Sequence, residues 1–226
     1  MTSGRTLLVV GSGPGIGRAV ASIFASKRYT NIVLLARRLE SLKQEQAAIE
    51  TVTPGINVKT YAVDVTDSVA VGEALDDADA ALGKPECIFY NAARVLPSSF
   101  FDHDVQDIEY DFKINASALY LLAKRYVPHL VSLAKADRLA KPALIVTSSA
   151  LPLQPIPQLF ALSMVKAAQR NLVQSLNMTY GPEGVHVGVI NVAGIVSPDE
   201  PERNPTNIAV KTWQWFEEGK EFEVVI

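Results

Sequence analysis

Six short runs of apolar, largely β-branched residues recur along the chain, at Thr6–Val10, Asn31–Leu35, Val58–Val63, Cys87–Tyr90, Ala143–Thr147 and Val185–Asn191. Between them lie longer stretches in which apolar positions fall three or four apart, over 16–28, 39–50, 67–82, 104–134 and 160–180. The short runs read as strands and the long ones as amphipathic helices. In the first helix Ile16, Val20, Ile23 and Phe24 share one face, with Arg18, Lys27 and Arg28 elsewhere. Leu119, Leu122, Tyr126 and Leu130 make a similar stripe in the 104–134 segment, where Pro128 is expected to kink or end a section. Strands that alternate with helices pair in parallel, because parallel neighbours need crossover connections. The expected fold is α/β: one doubly wound, mostly parallel sheet with helices on both faces, a single domain over 1–226. Near the end, the proline-rich Ser197–Thr206 reads as an irregular loop, followed by a short helix (Asn207–Glu217) and a last strand (Glu221–Ile226).

Composition fits one such domain. The chain has 226 residues, 48% of them apolar, which is enough for one sizeable core. A net charge of -3 provides no basic stripe, so nucleic acid is not an expected partner. No apolar run reaches the roughly 18 residues of a membrane span, and Met-Thr-Ser-Gly-Arg leads into a strand without the apolar core of a signal peptide. The one cysteine, Cys87, lies within an apolar strand and reads as a buried thiol. Together these features predict a soluble protein of a reducing compartment, most simply the cytoplasm. His103, His129 and His186 fit no compact ligand spacing, so no metal is expected.

The stretch "VVGSGPGIGRAV" follows the first strand and opens the first helix. Glycines at 11, 13, 15 and 17 permit a tight turn and close backbone approach, and the helix start offers free N–H groups to a pyrophosphate. In a dinucleotide fold an acidic residue usually ends the second strand and meets the ribose 2′-hydroxyl; here that strand ends Leu35-Ala36-Arg37-Arg38. Guanidinium groups there suit a 2′-phosphate, so NADP(H) is preferred to NAD(H), with Arg37 favoured over Arg38 for the contact. Segments 92–102 and 150–158 follow strand ends and bring Arg94, Pro97, Phe100, Leu151, Leu153 and Ile156 toward the crevice.

With these residues in place the chain resembles the short-chain dehydrogenase/reductase family over roughly 5–197, with its Rossmann-like fold. Gly11-Ser12-Gly13-Pro14-Gly15-Ile16-Gly17 is similar to the family's glycine loop, although Val10 stands where a threonine is usual. Asp64-Val65 matches the pair at the adenine, and Asn91-Ala92-Ala93 resembles an Asn-Ala-Gly motif that has lost its glycine. Asn115 falls where the family has an asparagine that supports a proton-relay water. Val192-Ala193-Gly194 stands where a Pro-Gly pair often bends the chain over the nicotinamide, so the resemblance implies cofactor contacts at Ala193, Gly194 and Val196. Ser149 and Lys166 match the family's serine and lysine. The resemblance implies that the lysine holds the nicotinamide ribose and the serine orients the substrate. It also implies a homo-oligomer, a dimer or tetramer, and a substrate lid that is short here, at about 195–210.

The family's tyrosine, four residues before the lysine, is Leu162 in "LFALSMVKAA". A hydrocarbon cannot pass a proton to an alkoxide, and loss of positioned acid–base catalysis costs about 10²–10⁴-fold. Tyr90, Tyr120 and Tyr180 have no pattern that makes them substitutes. Three readings follow for a small hydrophobic substrate: an oxidoreductase on a carbonyl, an imine or a polarised alkene with an altered proton path; a redox-neutral isomerase or cyclase; and a non-catalytic NADP(H)-binding subunit.

Overall fold

The computed structural model describes residues 4–226. Seven strands form one sheet: β1 (Thr6–Val10), β2 (Asn31–Ala36), β3 (Asn57–Ala62), β4 (Cys87–Tyr90), β5 (Ala143–Ser148), β6 (His186–Asn191) and β7 (Glu223–Val225). Their order is β3-β2-β1-β4-β5-β6-β7 and every pairing is parallel. All five residues of β1 and all four of β4 are buried, as expected of central strands covered on both faces. Alternate side chains enter two separate cores. Leu8, Val10, Ile88, Tyr90, Leu144 and Val146 face one layer; Leu7, Val9, Phe89 and Ile145 face the other.

The first layer contains α3 (Ser68–Leu82), α5 (Ala118–Ala136) and α6 (Phe160–Tyr180), with α4 (Val105–Phe112) leading into α5. The second contains α1 (Ile16–Lys27), α2 (Leu39–Val52) and α7 (Pro205–Glu218). Phe24 shows how the second layer closes: it lies edge-on to Trp213 at 5.0 Å and tilted against Phe216 at 5.1 Å, which holds α7 against α1.

The six strands and five helices expected ahead of residue 192 form within two residues of their predicted ends, with the 104–134 segment divided between α4 and α5. Pro128, however, ends nothing. It lies exposed inside α5, which runs on to Ala136. Just upstream, Lys113–Ser117 form a π-turn in which the Ala118 N–H reaches the Lys113 carbonyl, and this widened turn is where α4 passes into α5. The expected final strand is also trimmed at both ends, to Glu223–Val225. The segment expected as a lid divides in two. Residues 195–204 are irregular, whereas 205–210 belong to α7, with Ile208 and Ala209 buried.

The chain builds β1 to β3 outward in one direction and then returns to place β4 on the other side of β1. At such a reversal the loops leaving the two strands diverge and open a crevice at the strands' carboxyl ends. The loops that follow β1 and β4 here are Gly11–Gly15 and Asn91–Asp104.

Candidate functional site

A cleft of about 260 Å³ lies at that reversal, lined by Gly11, Ser12, Gly13, Arg37, Arg38, Ser41, Asp64, Val65, Asn91 and Ala92, among others. Nine of the residues read from the sequence as cofactor contacts thus converge on one surface. Gly11 has φ +88°, and a side chain there would meet the Ala92 backbone nitrogen at 2.5 Å. The loop after β1 is thereby pressed against the loop after β4. Asn91 secures the contact by donating to the Gly11 carbonyl at 2.9 Å and accepting from the Thr147 hydroxyl at 2.8 Å, so three strand ends are tied together.

Gly15 precedes α1 as its N-cap residue, and Ile16 and Gly17 form its first turn, where backbone N–H groups have no helical acceptor. Nothing lies within 4 Å of the Cβ direction at Gly13 or Gly15, so that side of the loop is open. Gly17 differs: a Cβ there would sit 2.9 Å from the Gly11 carbonyl and 3.0 Å from Ser12 Cα. Gly17→Ala is expected to destabilise the fold by about 1–3 kcal/mol through overpacking against backbone. Gly72→Ala, in α3 with open space around it, is expected to stabilise by up to about 1 kcal/mol. Urea midpoints should therefore move in opposite directions for the two variants.

Arg37 and Arg38 stand exposed at the turn from β2 into α2. Asp64 lies opposite. Burial alone would raise its carboxyl, but hydrogen bonds from the Thr66 N–H, the Tyr110 hydroxyl and the Thr66 hydroxyl outweigh that and hold it below the usual range. Asp64 is an anion in a fixed orientation. Arg94 does not project into the crevice as a free cation: its guanidinium pairs with Asp111 at 2.7 Å and Asp107 at 2.8 Å, bracing the loop after β4 against α4.

A second group of residues lies beyond β5. Lys166 is buried, with 6% exposure, and its Nζ donates to the Thr147 carbonyl at 2.9 Å and to Gln169 Oε1 at 2.8 Å. Burial pushes its ammonium down to about 7. Asn115, in the π-turn, is fully buried; its Nδ2 donates to the Asp111 carbonyl, and its own carbonyl accepts from Gln169 Nε2 at 2.9 Å. Thr147 and Gln169 both escape notice in the sequence. Gln169 left one signal: it takes an apolar-stripe position in the series Leu162, Val165, Gln169, Val173.

Ser149 lies just past the end of β5, where its Oγ accepts weakly from the Leu151 N–H at 3.3 Å. Ser148, the last strand residue, has a buried hydroxyl with no hydrogen-bond partner. Ala193, Gly194 and Val196 follow β6 and are exposed, and Arg203 folds back so that its Nε would lie 2.8 Å from a side chain at Gly194. These three, with Ser149, Lys166, Gly15, Ile16 and Gly17, lie outside the lining of the cleft itself.

Leu162 is buried one turn ahead of Lys166, packed with Leu151 and Val165 and against Leu159. Leu151 also borders an apolar hollow of about 340 Å³ lined by Phe100, Pro152, Ile156, Phe160 and Met164. Two contacts join the loops that form it. Phe100 stacks on Phe160 at 4.3 Å, and Ser98 Oγ accepts from the Ala161 N–H, capping α6, whose own N-cap residue supplies no side-chain acceptor. Tyr90 is fully buried and donates to the Ile114 carbonyl; burial, then the nearby Asp64 charge, raises its hydroxyl well above the ordinary value. Tyr120 is 57% exposed on α5.

Comparison with known proteins places the chain. The family model described as short chain dehydrogenase matches residues 5–207. Glucose 1-dehydrogenase of Gluconobacter oxydans is 26% identical over 210 residues, 89% of this chain and 75% of that protein. A probable 2,4-dienoyl-CoA reductase of Caenorhabditis elegans, decr-1.2, is 41% identical over 91 residues, which span 40% of this chain and only 29% of that protein. The NADPH-bound structure of a short chain oxidoreductase from Pseudomonas aeruginosa PAO1, described as containing an atypical catalytic center, superposes with a TM-score of 0.83 at 21% identity, covering 98% of this chain and 95% of that one. The chain belongs to the short-chain dehydrogenase family.

Proposed function

We propose that the chain is an NADP(H)-dependent oxidoreductase that acts on a small apolar substrate: best an iminium carbon, which hydride alone converts to an amine, or else a polarised alkene, whose enolate product takes its proton from solvent. One juxtaposition carries the reading: Thr147 bonds both Asn91 of the cleft and Lys166, and the side chain one helical turn before that lysine is a hydrocarbon. The glycine loop fits a pyrophosphate, since Gly13 and Gly15 present an open backbone face beside the unpaired N–H groups of α1. Arg37, assisted by Arg38, pairs with the 2′-phosphate; Asp64 and Val65 meet the adenine; Asn91, Ala92, Ala193, Gly194 and Val196 border the nicotinamide half.

When bound, the cofactor supplies a hydride. Lys166 then orients the ribose: two of its protons are held by the Thr147 and Gln169 oxygens, which leaves the third N–H of the ammonium free for a ribose hydroxyl. Asn115 keeps the π-turn in register behind it. Ser149 offers a hydroxyl to a polar atom of the substrate. Leu162, Leu151 and the Phe100–Phe160 pair form an apolar wall that excludes water. An iminium carbon takes hydride without protonation of an oxygen, so this wall does not obstruct its reduction. The local similarity to a probable dienoyl-CoA reductase supports an alkene as the other candidate. The irregular segment 195–204 serves as a short lid, and the working form is a cytoplasmic homo-oligomer.

The test is a fluorescence titration with NADPH and NADH, followed by a hydride-transfer panel of ketones, imines and enoyl compounds. Arg37→Ala is expected to weaken NADPH about 10–100-fold, the equivalent of a charge-assisted hydrogen-bond pair, and to leave NADH nearly unchanged. Wild-type protein that binds neither nucleotide would sink the proposal. Binding without hydride transfer to any acceptor would favour a non-catalytic subunit.

A further inference from the structure

Gln169 contacts two residues of the site at once. Its Oε1 accepts from Lys166 Nζ at 2.8 Å and its Nε2 donates to the Asn115 carbonyl at 2.9 Å, with the side chain 1% exposed. The direction of this amide is dictated by its neighbours. Turned over, it would set its NH₂ against an ammonium and its oxygen against a carbonyl, placing donor on donor and acceptor on acceptor. The Asn115 carbonyl, in turn, belongs to the π-turn where the helical ladder is loosened. A polar side chain at this place in the apolar stripe of α6 would be unfavourable unless both its ends were paired, and both are.

We propose that Gln169 is a positioning residue: its amide fixes Lys166 Nζ at the end of β5 and joins the charge state of that lysine to the π-turn that carries Asn115. The proposal deepens the function given above in taking Lys166 as the group that meets the cofactor, but the contact itself belongs to the free chain.

Among the described residues the charged groups around α6 are engaged elsewhere: Arg170, one turn after Lys166 on α6 itself, pairs with Glu223 of β7. On the elements packed against α6, Asp111 is paired with Arg94, Tyr110 donates to Asp64, and Tyr90, from the neighbouring strand, donates to Ile114. Lys113, Glu109 and Tyr120 are exposed, and His186 lies at the opposite end of β6 on the Glu221 carbonyl. β5 itself carries no titratable side chain. Lys166 is therefore held by two neutral oxygens, and burial, with no opposing anion, lowers its ammonium. Removing one oxygen and introducing a carboxylate there must then have opposite effects.

The experiment is NMR of protein labelled with ¹³C at lysine Cε, with the Lys166 signal assigned by Lys166→Met and followed over about pH 5 to 11. Gln169→Leu is expected to lower the Lys166 midpoint by about half a unit to one unit, the worth of one buried hydrogen bond. Gln169→Glu, nearly isosteric, is expected to raise it by about one unit or more. Folded variants whose midpoints stay at the wild-type value, or move in the same direction, would overturn the proposal. The wild-type chain supplies an arm that needs no variant: the Gln169 side-chain amide signals must shift with the midpoint of Lys166, and their failure to do so would equally overturn it. Because these titrations use the free chain, a failure to bind NADPH overturns the proposed function and leaves this test standing.

Discussion

Lys166→Met is expected to lower hydride transfer by at least about 100-fold and to remove the contribution of this lysine to the pH dependence of stability. Both effects come from one buried ammonium. Its folded-state value near 7 lies below the 10.5 of an unperturbed lysine, so between those values the unfolded chain binds more protons than the folded one. Wild-type stability should therefore rise with pH through that window, by up to about 1.4 kcal/mol per unit from this group, and the penalty should be present in full below pH 7. Methionine keeps the length and removes the charge. It leaves the Thr147 and Gln169 oxygens unpaired, a loss that does not vary with pH. The quantity to measure is the wild-type minus variant unfolding free energy, from urea titrations at several pH values. Its increase from neutral to alkaline pH supports a depressed lysine; a flat difference shows one that titrates in the ordinary range.

The architecture was legible because it follows from repeated local signals. Strands buried on both faces read as unbroken apolar runs, and helices of two packed layers carry single stripes, so β1 to β6 and the helices between them emerge from periodicity alone. The cleft was legible for a related reason: glycine is required wherever backbone approaches backbone, as where Gly11 meets Ala92. The missed features depend on partners distant in sequence. Nothing local reveals that Ser98 caps a helix 63 positions later, or that Arg94 is paired with Asp111. Pro128 does not end its helix: a proline removes one helical hydrogen bond wherever it sits, yet on the solvent face of a long, well-packed helix that loss is tolerated. The irregularity arises instead in Lys113–Ser117, where the sequence carries no breaker at all. Gln169 was passed over beside its small neighbours, although a lone amide in an apolar stripe is itself a request for two partners.

Leu162→Tyr is expected to raise NADPH-dependent reduction of a small apolar ketone by about 10²–10⁴-fold over wild type, the range that a positioned proton donor contributes. The leucine lies one turn before Lys166 on the same face of α6, so a phenol there would reach toward the ammonium, whose charge lowers the phenol's own value. Leu162 is 5% exposed within a tight apolar cluster, so the larger ring should also destabilise by about 1–3 kcal/mol unless Leu151 yields toward the neighbouring hollow. Leu162→Phe separates the two effects, since it imposes the same crowding without a hydroxyl and should gain no ketone reduction. The double variant with Lys166→Met should lose the gain. If Leu162→Tyr folds, binds NADPH and still reduces no ketone, then Ser149 and the apolar wall are not arranged around a carbonyl oxygen. The hydrocarbon at position 162 would then be one part of a site whose whole geometry is set for a different acceptor.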